Sequence, residues 1–217
     1  MTAYETNPFN EYVPIISVEN ERSGFNHSVF IFNVIESSER YSELCFILEN
    51  ATENDWIEFK FNTPGGDYYT ALVILAAMEK CKAPIHGVGY GDIASAGTML
   101  LLACDTIFMN PYAEFMIHNF SESSGQLKGN ELVRKYEFTL PHRKKVFYKF
   151  YEGFLTKEEC DKVVRDDDIY LNAEEVMSRF DKVTMMRLEA YKSTLAEQKE
   201  EYRKELQLEL AALDSSS

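Results

Sequence analysis

The chain lacks any apolar run long enough to span a bilayer. Its longest, Ala71 to Met78, falls far short of the roughly twenty residues that a membrane helix needs. It also lacks a basic start leading into an apolar stretch, since it opens Met1-Thr-Ala-Tyr-Glu-Thr-Asn-Pro8. No secretory leader is therefore expected, and the reading is a soluble, cytoplasmic protein. Positive charge is scarce: 22 Lys and Arg stand against 36 Asp and Glu, a formal charge of -14. Such a balance disfavours nucleic acid and anionic membranes as partners of the body. Cysteines in CxxC spacing are missing too. Cys45, Cys81, Cys104 and Cys160 lie far apart, and His27, His86, His118 and His142 show no ligand spacing. Both absences argue against a zinc site and for reduced, partly buried thiols, so no metal and no cofactor are expected.

What is present is a foldable core. Hydrophobic residues make up 45% of 217, with 15 Phe and 13 Tyr, enough for one domain and an appendage. Residues 1–27, broken by Pro8, Pro14 and Gly24, read as an arm with a short strand at Val13–Val18. Strands are expected at Ser28–Ile35, Trp56–Phe61, Ile85–Tyr90, Thr106–Met109 and Glu114–Ile117. Helices are expected at Ser38–Glu49, Asp67–Cys81 and from Thr98 to Ala103. Gly129–Glu152 reads as a long helix that Pro141 must kink or split. Lys157–Val164 reads as a short helix and Ile169–Leu171 as an extended piece. Asn172 and Glu175 form a capping-box pattern for a helix over Ala173–Arg179. From Thr184 to Leu213 a charged helix without Gly or Pro follows, its apolar stripe too ragged for a coiled coil. Alternation of strands and helices in units of roughly twenty to thirty residues is the pattern of an α/β domain.

Two glycine turns follow strands and precede helices, Asn62-Thr-Pro-Gly-Gly66 and Gly91-Asp-Ile-Ala-Ser-Ala-Gly97. A serine among Gly and Ala at the start of a helix is placed as a nucleophile would be. Small neighbours admit a substrate backbone, and the helix start offers free N–H groups. Alone, such a turn is more often a packing corner or an N-cap. A serine hydroxyl needs a base, and the base needs an acceptor to hold it. His118 closes the apolar run Glu114-Phe-Met-Ile-His118, and Asp168 closes Arg165-Asp-Asp-Asp168. Each alone has an ordinary structural reading, a hydrogen-bonded strand-end histidine and a capping or solvated aspartate.

Taken in order, the four segments carry more. Asn62-Thr-Pro-Gly-Gly66, Gly91-x-x-Ala-Ser-x-Gly97, Met116-Ile-His-Asn119 and Asp168-x-x-Leu-Asn-Ala-x-Glu175 resemble the ClpP-like serine peptidases, the proteolytic subunits of the caseinolytic protease. That family carries an S-P-G-G turn, a G-x-A-A-S-M-G turn, an M-I-H-Q strand end and a D-x-x-M-S-A-x-E-A segment. The resemblance covers roughly residues 58–183. For the fold it implies a crotonase-type α/β superhelix of repeated strand-strand-helix units. For the site it implies Ser95 as nucleophile, His118 as general base and acid, and Asp168 as the group orienting the imidazole. It implies an oxyanion hole from the N–H groups of Gly66 and Ala96. Substrate would lie as an added strand beside Gly65–Asp67 and the Gly125-Gln126 segment. Thr63, Ile93 and Ala96 stand where the family has Ser, Ala and Met. Asp167 stands where it has Arg, and Ile169 where it is commonly basic, both at the contact between stacked rings. Asp92 adds a carboxylate close to the nucleophile turn.

The resulting expectation has an arm (1–27), a peptidase domain (28–183) and a charged helical extension (184–217). Its activity is serine endopeptidase cleavage of polypeptides inside an oligomeric chamber. The resemblance implies heptameric rings, single or stacked, either serving an AAA+ ATPase unfoldase or acting alone as a processing protease such as a viral head-maturation enzyme. The competing classes are a catalytically silent ring subunit acting as scaffold or regulator, and an acyl-CoA enzyme on the same broad fold. The second does not explain Ser95, His118 and Asp168 together.

Overall fold

A computed structural model describes residues 13–121 and 129–215, with side chains through residue 204. Its centre is a seven-stranded sheet in the order β1-β2-β3-β4-β6-β7, with β5 paired to β4 off that path. The strands are β1 (Ile15–Glu19), β2 (Phe25–Phe32), β3 (Trp56–Thr63), β4 (Ile85–Ala94), β5 (Thr106–Met109), β6 (Glu114–Ile117) and β7 (Ile169–Asn172). Pairing is parallel from β2 through β3 and β4 to β5 and β6, and antiparallel at the two flanks, β1 on β2 and β7 on β6. The helices are α1 (Ser42–Asn50, after a 3-10 turn at Ser38–Tyr41), α2 (Tyr68–Lys80), α3 (Ala96–Leu102), α4 (Gly129–Phe150), α5 (Lys157–Val163) and α6 (Ala173–Ser215).

Period-two alternation builds the buried layer. Val29 and Ile31 of β2 turn the same way as Ile57, Phe59 and Phe61 of β3, and all five are buried. Helix α1 packs on α2, α2 on α3, and α3 on β3 and β4. Every residue of α3 is buried, as its unbroken apolar run requires. Helix α4 is the opposite case: only Phe147 of its 22 residues is fully buried, and it runs unbroken through Pro141. Pro141 is solvent-exposed. Water can therefore take the carbonyl that its missing N–H leaves unpaired, and the expected split does not occur.

Three further boundaries differ from the sequence reading. Strand β4 does not stop at Tyr90. Its first half pairs with β5, and Asp92, Ile93 and Ala94 pair with Glu114, Phe115 and Met116 of β6, which carries the strand to the residue before Ser95. The sheet also takes in Ile15–Glu19, and β2 starts at Phe25. Helix α6 continues from Ala173 to Ser215 without a break. Its start carries the expected capping box: Glu175 N–H donates to Asn172 Oδ1 (3.0 Å), and Asn172 N–H donates to Glu175 Oε2 (2.9 Å). The composition change near residue 184 marks where burial ends, with Val183 buried and Met185 and Met186 half-exposed. No helix of the described residues is long and apolar enough to cross a membrane.

Candidate functional site

The site forms where β4 ends and α3 begins. Ser95 joins them in the left-handed region, with φ 54° and ψ -126°. A side chain held there costs about 1–3 kcal/mol, so the surroundings must over-determine it. They do so through the main chain. Ser95 N–H donates to Met116 C=O of β6 (2.9 Å), and Ser95 C=O accepts from Thr98 N–H (3.0 Å). An N-cap serine ordinarily gives its hydroxyl to the first turn of the helix; here Ser95 makes no such bond, and its Oγ is left for other use.

Gly65 is what the turn rests on. It has φ +89°, and a Cβ there would come within 2.6 Å of Ser95 Cβ and 2.9 Å of Ala96 N. No other residue satisfies both the backbone and the contact. On the far side, Ile35 bridges this segment in parallel fashion: Ile35 N–H donates to Gly65 C=O and Asp67 N–H donates to Ile35 C=O, each at 2.7 Å. The pleat turns the intervening Gly66 the other way, so its N–H points away from Ile35. Ala96 is the first residue of α3, and its N–H has no acceptor within the helix. Both residues line one solvent-open pocket with Ser95 and His118. Asp67 lies outside that lining and caps α2, accepting from Thr70 N–H at 2.7 Å.

His118 comes directly after β6, partly buried, with no hydrogen bond to Ser95 among the described residues. Its relation to Asp168 follows from register. The antiparallel ladder of β6 and β7 ends at Ile117 opposite Ile169, so the next residues out on the two strands are His118 and Asp168. β6 thus runs between the strand that delivers Ser95 and the strand that Asp168 precedes. Asp168 is exposed, and no hydrogen bond joins it to His118 among the described residues. Asp166 is engaged elsewhere: it adopts φ 71° and accepts from Asn119 Nδ2 at 2.8 Å. Asn119 Nδ2 also donates to Val164 C=O at 3.3 Å, tying the segment after His118 to the turn that carries Asp168. Asp92 does not line the pocket; it faces Glu114 across β4 and β6, and burial followed by that like charge pushes its carboxyl up. Gly125 and Gln126 lie outside the described residues.

The pocket walls were not visible in the sequence. Tyr68, Met99, Phe120, Phe147 and Tyr151 make one side apolar and aromatic, with Asn119 and Ser121 at the polar edge. Tyr68 and Phe120 meet edge to face at 4.7 Å, and Arg143 sits over both rings at about 6 Å. These residues come from α2, α3, α4 and the turn after it, and the segment after β6, and only folding brings them together. None of the four thiols lines the pocket, and burial pushes each of them up, Cys160 to about 11. Ser95 and His118 both line this pocket, a hydroxyl and an imidazole of the types that nucleophile–base chemistry draws on. Among the described residues no cluster of His, Cys, Asp or Glu could hold a metal ion.

The family model described as Clp protease matches residues 26–180. Among curated relatives, an ATP-dependent Clp protease proteolytic subunit of Deinococcus radiodurans is 29% identical over 106 residues, 47% of this chain and 50% of that one. An ATP-dependent Clp protease proteolytic subunit 2 of Treponema denticola is 29% identical over 85 residues, 38% of this chain and 42% of that one. Its namesake in Treponema pallidum is 32% identical over 75 residues, 34% and 38% of the two chains. The chain spans half or less of the length of these relatives.

Proposed function

The chain belongs to the Clp protease family, and from that premise we propose that it is a serine endopeptidase acting through Ser95, His118 and Asp168. The observation that carries the reading is the convergence of Ser95, His118, Gly66 and Ala96 on one pocket, with the serine strained and its hydroxyl uncapped. Ser95 Oγ attacks the scissile carbonyl carbon while His118 takes its proton. The carbonyl oxygen becomes an oxyanion that accepts from the N–H groups of Gly66 and Ala96, each such donor being worth about 3 kcal/mol in the transition state. The tetrahedral centre collapses, His118 returns the proton to the leaving amine, and an acyl ester stays on Ser95. Water attacks that ester by the same route and releases the acid. Asp168, opposite His118 across the ladder end, accepts from the imidazole and fixes its tautomer. Catalytic hydrogen bonds that are open in a free enzyme commonly close around substrate. The polypeptide lies extended past Gly66, on the edge that the Ile35 bridge leaves open.

Assembly into rings, which the resemblance implies, would cover half-exposed Trp56, Tyr90 and Phe108 on the sheet and exposed Phe138 and Leu140 on α4. The relatives are named as ATP-dependent, and the same dependence on a cytoplasmic unfoldase is proposed here. That no hydrogen bond joins Ser95, His118 and Asp168 among the described residues favours one second reading, a silent ring subunit. Reaction with a fluorophosphonate separates the two. The wild type should label and should cleave a coumarin amide of a capped dipeptide, and Ser95→Ala should lose both while assembling as before by native mass spectrometry. Labelling that persists in Ser95→Ala contradicts the nucleophile; a wild type that assembles but never labels leaves the silent subunit.

A further inference from the structure

Behind Ser95 lies a buried pair of hydroxyls that the triad does not use. Thr98 Oγ1 is 2.6 Å from Ser95 C=O and 2.6 Å from the Tyr151 hydroxyl, and Thr98 is fully buried. The direction of these bonds follows from proton counting. Ser95 C=O can only accept, and Thr98 has a single hydroxyl proton, so that proton goes to Ser95. Tyr151 must then donate to Thr98 Oγ1. The result is a one-way chain, Tyr151 O–H to Thr98 O–H to Ser95 C=O. Ser95 C=O therefore receives two donors from one residue, the amide and the hydroxyl of Thr98.

Both ends of the chain are anchored. Tyr151 N–H donates to Phe147 C=O at 3.0 Å, and its ring packs on Phe147 with centroids 4.7 Å apart. Burial pushes the Tyr151 phenol well up, so it stays a donor throughout the pH range of peptide hydrolysis. At the other end the residue held is the strained one, φ 54° and ψ -126°. Rotation of the Ser95 peptide toward ordinary helical values would swing its carbonyl off Thr98 Oγ1 and carry Oγ and the Ala96 N–H with it. The hydroxyl chain thereby adds to the main-chain bonds of Ser95 in setting the direction of its Oγ and of the Ala96 N–H together.

We propose that Tyr151, acting through Thr98, is a positioning residue that holds Ser95 in its reactive conformation; the proposal rests on Ser95 being the nucleophile. The Tyr151 hydroxyl is taken up by Thr98 and touches neither the reacting atoms nor the proton path. Loss of that hydroxyl with the ring kept on the pocket wall should therefore change kcat and the rate of Ser95 acylation far more than KM, and should leave the shape of the pH profile unchanged. Tyr151→Phe keeps the ring and deletes the donor. It is expected to slow fluorophosphonate labelling and kcat about tenfold, the size of one hydrogen bond's net contribution. Thr98→Val, of the same shape without the hydroxyl, should lose at least as much, and Thr98→Ser should recover to within about twofold of wild type. Because Tyr151 acts through Thr98, Tyr151→Phe added to Thr98→Val should cost nothing further. Thermal melts run alongside show that each variant is folded at the assay temperature. If Thr98→Val does not fold, Tyr151→Phe against Thr98→Ser decides. Wild-type labelling rates in folded Tyr151→Phe overturn the proposal, as does full additivity of the two substitutions. Failure of the underlying assignment looks different: Ser95→Ala would go on labelling, whatever Tyr151 does.

Discussion

Ser95 is fixed on every side by main chain and small residues, whereas His118 and Asp168 leave the end of the β6–β7 ladder joined neither to each other nor to Ser95 among the described residues. The serine's N–H is tied to Met116, its carbonyl to Thr98, and its Cβ lies against the bare Cα of Gly65. On the other side Asp168 is exposed, and among the described residues the side-chain link between the two strand ends is Asn119, reaching Val164 and Asp166. The geometry of Ser95 is a property of the sheet and helix junction, expensive to form and hard to lose. His118 and Asp168 depend on a strand end and a turn, where a few hydrogen bonds set the alignment. Substitutions on the first side should strike folding and chemistry together, and those on the second chemistry first.

Gly65→Ala should break the comparison most violently. The added methyl meets Ser95 Cβ and Ala94 C=O at 2.6 Å in a backbone conformation that alanine avoids. Activity should fall to background and stability by about 3 kcal/mol, read by denaturant titration. His118→Ala and Asp168→Asn should each lower kcat/KM about a thousandfold or more with unfolding midpoints near wild type. Asp167→Asn serves as their control, since Asp168 and not Asp167 follows His118 in register. A large loss in Asp167→Asn with none in Asp168→Asn would move the acid by one residue. Asn119→Ala should cost about tenfold in kcat and slow fluorophosphonate labelling in step, with Ser95 still the residue labelled, because it loosens the turn that aligns His118 and Asp168 and not Ser95 itself.

The smallest effect concerns what the turn stands on. Glu159 of α5 and Arg179 of α6 form a two-pronged pair at 2.8 and 2.9 Å. Arg179 holds the Glu159 carboxyl below the usual range. A depressed folded-state pKa contributes stability that is present above the ordinary glutamate value, about 4.3, and is lost as pH falls through the depressed one. Glu159→Gln should therefore be less stable than wild type by about 1 kcal/mol at neutral pH. That gap should narrow in melts as pH falls below the ordinary glutamate value and close once the depressed carboxyl is protonated.

The sheet and the glycine turn beside Ser95 were legible because their signals are local. Alternation in Trp56–Thr63 reports a half-buried strand, and two adjacent glycines report a backbone that no other residue accepts. The continuation of β4 past Tyr90 was not legible, since Gly91 and Asp92 look like a turn until β6 supplies their pairing partner. The length of α6 was hidden for a related reason. Nothing from Ala173 onward stops a helix, and the change at residue 184 reports departure from the body, not a new element. The last side chain seen to reach back is Arg187, which donates to Leu102 C=O at 3.2 Å. Least legible was the link from Tyr151 to Thr98, two residues 53 positions apart with no common motif. Aromatic walls leave no pattern either, because a tyrosine facing a pocket and one filling a core read alike.

The central claim is that this fold strains one serine into a nucleophile. Peptide mapping by mass spectrometry of the full chain after reaction with a fluorophosphonate tests it most directly. The account predicts one adduct, on Ser95, formed in the native protein and absent after denaturation. An adduct on any other serine, or equal labelling of the denatured chain, would contradict it.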